Sequence, residues 1–115
     1  MKILISNIQN ELVNDVISIT KAEKTILILN KKTELDIGTP YQVECLDIRD
    51  PVGASTQIRD IFSAALKEGE VELALEADFM GLQIQEAAKD HEIFRKKNIF
   101  VVKEGRIDKF KACLC

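Results

Sequence analysis

A chain of 115 residues, 46% hydrophobic and 30% charged, has the balance of one folded domain with a single two- or three-layer core and not of a disordered segment. Its net charge of −3 opposes charge-driven binding to double-stranded nucleic acid, which rests on a surplus of cations. Apolar runs such as Ile26–Leu29 fall far short of the roughly 20 residues of a membrane span, and Ile3–Ile5 is too short for the core of a secretory signal. The chain therefore reads as cytoplasmic and unprocessed, with no membrane partner.

Lys2–Ile8 (KILISNI) is an isoleucine-rich run that predicts an opening strand, and Asn7 or Asn10 can cap the helix that follows. In that helix Leu12, Val13, Val16 and Ile17 share one face, and Glu11 in the first turn suits the helix dipole. Thr25–Asn30 (TILILN) is continuously apolar, as in a central strand covered on both faces. Residues 31–40, with Gly38 and Pro40, read as a loop with room for one helical turn or a short edge strand. Gln42–Ile48 places Val43 and Cys45 on one face and Leu46 and Ile48 on the other, so both faces are expected to be buried, with the Cys45 thiol packed as a small hydrophobe.

After the break at Asp50-Pro51, Ile58, Ile61, Phe62, Ala65 and Leu66 recur at helical spacing, and Gly69 stands where a C-cap glycine belongs. From Glu70 to Phe79 the apolar residues Val71, Leu73, Leu75, Ala77 and Phe79 alternate with Glu72, Ala74, Glu76 and Asp78. The alternation, bounded by Gly69 and Gly81, predicts a strand, although EVELALEA is also rich in helix formers and leaves a helix open. Leu82–Lys97 reads as a helix burying Leu82, Ala87, Ile93 and Phe94, with Arg95, Lys96 and Lys97 near its C-terminus. Asn98–Val102 and a second run carrying Ile107, Phe110 and Ala112 flank Glu104-Gly105 and predict a hairpin. This order predicts a single α/β domain over residues 1–115, a small Rossmann-like three-layer sandwich with a mostly parallel sheet and a C-terminal hairpin.

Open parallel sheets bind ligands at the carboxyl ends of their strands. That rim collects Ser6, Asn7, Asn30, Asp50, Gly53, Ser55, Thr56, Asp78 and Gly81 as candidate ligand-binding residues, with Gln83 beside them. Amides opening the second and third helices would suit a phosphate there. The chain contains neither G-x-G-x-x-G nor G-x-x-x-x-G-K-[ST], so no dinucleotide or nucleoside-triphosphate cofactor is implied. Asp50-Pro51 equally suits an N-cap followed by proline at the first helical position, and the Ser55 and Thr56 hydroxyls can serve their own backbone. Asp78, with no second carboxylate placed beside it, reads as solvated or capping.

No catalytic residue is assigned. His91 sits between Asp90 and Glu92 with no nucleophile near it in sequence, and Cys45 has no adjacent base. Cys113-Leu114-Cys115 lacks CxxC spacing, only His91 offers another soft ligand, and a structural zinc wants four, so no metal is expected. Three cysteines do not build a disulfide framework. From Arg95 onward seven cations face Glu104 and Asp108, a surplus of five that leaves −8 on the first 94 residues. These cations read as solvated side chains, or as an end that steers a small anion or short oligonucleotide.

The order of elements, with Asp50 ahead of a helix and a closing hairpin, is similar to that of the cyclic-oligonucleotide-sensing Rossmann domains of CRISPR systems. Their glycine- and threonine-rich turn after the fourth strand is replaced here by Asp78-Phe79-Met80-Gly81. A Toprim domain also resembles this chain in having an acidic turn there, but its glutamate after the first strand is replaced by Ser6 or Asn7. No family is assigned on either likeness. Two functions remain: a domain binding a small anionic, nucleotide-like ligand, with a CRISPR-type cyclic-oligonucleotide binder or ring nuclease as its special case, or a homodimeric protein-interaction module. The first expects Ser55, Thr56 and the C-terminal cations on one concave site. The second expects them scattered and an apolar patch left exposed.

Overall fold

The computed structural model describes residues 1–9, 11–30, 41–93, 98–103 and 106–111, the last two segments as backbone alone. Along the chain run β1 (Lys2–Ser6), α1 (Leu12–Thr20), β2 (Lys24–Asn30), β3 (Gln42–Leu46), α2 (Pro51–Glu68), β4 (Glu70–Glu76), α3 (Phe79–Lys89), β5 (Asn98–Lys103) and β6 (Arg106–Lys111). The protein is a small α/β domain. Its sheet has the order β3-β2-β1-β4-β5-β6. β3, β2, β1 and β4 are parallel throughout, β5 joins β4 in parallel, and β6 pairs antiparallel with β5.

Alternation along the strands makes two apolar faces. Ile3 and Ile5, Ile26 and Ile28, and Val71, Leu73 and Leu75 pack against Ile58, Phe62 and Ala65 of α2 and Ile84 and Ala87 of α3. Leu4, Leu27, Leu29 and Ala74 face the other way, against Val13 and Val16 of α1. Parallel crossovers turn right-handed, so a chain that steps from β1 to β2 over one face must use the opposite face when it steps from β4 to β5. The helices are divided in that way.

The alternating segment is a strand, as its period predicted. Parallel pairing with β1 on one side and β5 on the other overrides the helix propensity of EVELALEA, because only an extended chain satisfies those ladders. It ends at Glu76, and the chain turns into α3 three residues earlier than the apolar spacing indicated. The helix turns Met80, Ile84, Ala87 and Ala88 to the core, so Leu82, on the opposite side, is 58% exposed, contrary to its expected burial.

Three other expectations are corrected. Among the described residues β3 is an edge strand with one neighbour, so its faces are only partly covered and Cys45 is exposed rather than packed in the core. Asn7 does not cap α1, whose first residue is preceded by Glu11 without any side-chain cap. Gly69 follows α2 with an extended φ of 173°, so it is no left-handed cap. Its need for glycine is a close approach, since a Cβ there would run into the Met1 carbonyl oxygen. The left-handed cap falls instead on Lys21, at φ 59°, closing α1 with a bond from its N–H to the Ile17 carbonyl. The predicted loop 31–40, Asn10, Phe94 to Lys97, Glu104-Gly105 and Cys113-Leu114-Cys115 lie outside the described residues.

Candidate functional site at the strand reversal

β2 and β3 extend the sheet from β1 in one direction, and β4, β5 and β6 in the other, so strand order reverses between β1 and β4. In open α/β sheets the crevice at such a reversal is the usual ligand position. Asn7 closes it. The buried Asn7 side chain accepts the Glu76 N–H at 2.8 Å through Oδ1 and donates from Nδ2 to Asp78 Oδ1 at 2.9 Å. One residue after β1 thus ties down the end of β4 and the start of α3. Ser6, also fully buried, accepts the Ile8 N–H at 3.0 Å through Oγ. Asn7 thus serves a distant strand end, and Ser6 its own turn.

The two helix starts are built alike. Asp78 Oδ1 accepts the Gly81 N–H at 2.8 Å, and Asp50 Oδ1 accepts the Gly53 N–H at 3.1 Å, each carboxylate serving as N-cap. Pro51 occupies the first turn of α2, where its missing N–H costs nothing. A Cβ at Gly81 would fall on the Glu76 carbonyl oxygen, so glycine there lets α3 start tight against the end of β4. Both helix N-termini, the proposed phosphate cradles, therefore already hold a carboxylate. Glu76 adds another: burial, then the negative charge of Asp78, raises its pKa above the ordinary carboxylate range.

The remaining candidates do not join one polar site. Asn30 ends β2, two strands away from β4. The Thr56 hydroxyl donates to the Val52 carbonyl at 3.0 Å on the surface of α2. Ser55 lines a hollow of about 310 Å³ between the first turns of α2 and α3, together with Pro51, Phe79, Leu82, Gln83 and Glu86. Gln83 bridges its walls by donating from Nε2 to the Pro51 carbonyl at 3.2 Å. Two of its lining side chains are large, apolar and mostly exposed: Phe79 at 67% and Leu82 at 58%. The period-3.6 reading missed this patch because it assigned Leu82 inward. The signal was available in the adjacent capping pattern, since Asp78 with Gly81 marks the helix start.

A larger hollow of about 690 Å³ lies between the β3 edge and the C-terminal half of α2. Its rim mixes charges that partly neutralise one another, as in the Lys24–Glu68 pair at 2.9 Å. Among the described residues no group of three or more histidine, cysteine or acidic side chains can hold a metal ion.

One side-chain pair unseen in the sequence joins α2 to the end of α3: Ser63 Oγ lies 2.9 Å from His91 Nε2. It does not form an activated nucleophile. His91 Nδ1 accepts the Ile93 N–H at 3.1 Å and so carries no proton, which in the neutral ring puts the proton on Nε2. Nε2 then donates to the serine, the reverse of what a general base requires. The ring also packs edge-on against Phe62, with centroids 5.5 Å apart.

The fold and this rim define a small α/β domain with two carboxylate-capped helices flanking an exposed apolar hollow. No family model, no curated protein and no solved structure matches the chain. No described helix is long and apolar enough to cross a membrane.

Proposed function

We propose that this domain is a protein-interaction module whose contact surface is the apolar patch formed by Phe79 and Leu82 beside Pro51. The single observation behind it is that two large apolar side chains, Phe79 and Leu82, each more than half exposed, line one hollow at the starts of two helices. Isolated exposed apolar residues are ordinary, but a cluster with polar residues at its edge marks a surface that another molecule covers. A homodimer is one form this module can take. The free, exposed thiol of Cys45 suits a reducing, cytoplasmic setting.

The test is selection from a random-peptide library on the folded protein, with a Phe79→Ser, Leu82→Ser double variant as the comparison. Peptides enriched on the wild-type protein alone support the reading, and equal recovery on both proteins sinks it.

A small nucleotide-like anion at the β1–β4 reversal is the second reading, with the ring-nuclease form as its enzymatic extreme. It is favoured by the strand order, which suits a Rossmann-like sheet with β5 and β6 as its closing hairpin. The carboxylates already seated on both helix starts oppose it electrostatically. A thermal-shift panel of mononucleotides, dinucleotides and cyclic oligonucleotides separates the two. A ligand at about 100 times its dissociation constant adds roughly 2.7 kcal/mol. A flat response across the panel removes this second reading.

A further inference from the structure

We infer that the apolar hollow between α2 and α3 receives a cationic segment of a different protein chain, with an aliphatic or aromatic anchor in the hollow and lysine or arginine against Asp50 and Asp78. This rests on the interaction reading proposed above.

The two capping carboxylates are sequence neighbours of the hollow, because Asp50 precedes Pro51 and Asp78 precedes Phe79. Each spends Oδ1 on its cap, and among the described residues Oδ2 of each makes no hydrogen bond. A helix N-terminus carries roughly half a positive charge, so two full carboxylates over two such ends leave the rim negative by about one charge. Glu76, at the end of β4 beside Asp78, adds to that field when ionised. Glu86 forms part of the hollow's lining and is paired with Lys89 at 3.0 Å. Arg59 lies one turn beyond Ser55 on α2, away from the capped end. Near the caps themselves Arg49 is held by Asp47 at 3.0 Å. The apolar anchor point is therefore flanked by acids whose outer oxygens are available to a donor.

The same charges disfavour a second copy seated patch to patch. A two-fold axis through this surface would bring the Asp50 and Asp78 of both copies to one interface, and like charges facing each other across an interface are costly. A basic partner meets the opposite situation: its cations pair with Oδ2 of the caps while its anchor covers Phe79 and Leu82.

The composition of the peptides recovered from the random library decides the point. Those enriched on the wild-type protein and lost on the Phe79→Ser, Leu82→Ser variant are expected to combine an apolar anchor with net positive charge. A synthetic copy of such a peptide should bind an Asp50→Asn, Asp78→Asn variant about threefold to tenfold more weakly at low salt, with the difference shrinking at high salt. Asparagine caps helices as well as aspartate, so that variant keeps its fold. Patch-dependent peptides that are neutral or acidic, or that bind the Asn variant unchanged, overturn the cationic partner while leaving the interaction module standing. Recovery that ignores the patch overturns both. Sedimentation showing a wild-type dimer that the Phe79→Ser, Leu82→Ser variant loses would give the surface to a second copy and overturn the assignment to a different chain.

Discussion

Asn7 does more for this fold than any other polar side chain at the strand reversal. Its amide satisfies the Glu76 N–H and one oxygen of Asp78, so it joins β1, β4 and α3 across 71 positions of sequence. Asn7→Ala leaves a partly buried N–H unpaired and should lower stability by about 2–3 kcal/mol, read as a lower urea midpoint with unchanged slope. Glu76 has the opposite influence once ionised. Its raised pKa means that the folded protein keeps a proton which the unfolded chain has already lost, so stability falls as pH rises from the ordinary carboxylate range through the raised value. Above that window the cost of the partly buried charge beside Asp78 is fully present. Glu76→Gln should therefore melt higher than wild type at neutral pH, and the two curves should converge in acid, where Glu76 is protonated in both states.

Among the elements, the joint between α2 and β4 is the most tightly determined. Gly69 donates to the Ala65 carbonyl at 3.1 Å and Glu70 to the Met1 carbonyl at 2.9 Å, so the helix ends directly against the start of β1. A methyl group at Gly69 meets that backbone oxygen, which cannot move without disturbing the ladder. Gly69→Ala should cost about 1–3 kcal/mol in urea unfolding, as overpacking against main chain does. β3 shows the reverse condition, an edge with little cover. Cys45 should accordingly react with a thiol reagent in the native protein without prior unfolding, as followed by mass spectrometry of the peptide that contains it. Protection of that peptide until the protein unfolds would contradict the exposed placement.

At the scale of the molecule, the two ends of the sheet have different roles. The carboxyl rim carries the caps, the Asn7 tie and the exposed patch, while the opposite rim is held by the α2–β4 joint and by the Glu23 N–H donating to the Lys2 carbonyl at 2.8 Å. Because Phe79 and Leu82 lie outside both cores, replacing them with serine should leave the unfolding free energy from urea titration within about 0.5 kcal/mol of wild type while abolishing patch-dependent binding. A large loss of stability would instead assign these side chains to the core. Buried Phe62 provides the contrast: Phe62→Ala should cost about 3–5 kcal/mol by opening a cavity between α2 and the sheet.

Local spacing in the chain determined the α/β class, the two-faced strands β1 and β2, the apolar stripe of α2 with its Asp50-Pro51 start, and the extended state of β4. Each of these follows from a periodicity or a capping pair that acts over a few residues. What the chain alone left undecided depended on distant partners. Cys45 is exposed because, among the described residues, β3 has one neighbour in the sheet, which no local pattern encodes. Asn7 binds β4 rather than capping α1 because the parallel register between β1 and β4 brings residue 76 beside it. Leu82 faces outward because packing on the sheet turns Met80, Ile84, Ala87 and Ala88 of α3 inward, and Leu82 lies on the opposite side of the helix. That Asp50 and Asp78 both cap the helix starts, each accepting the N–H of the glycine three residues on, was likewise decided by the folded backbone at those turns.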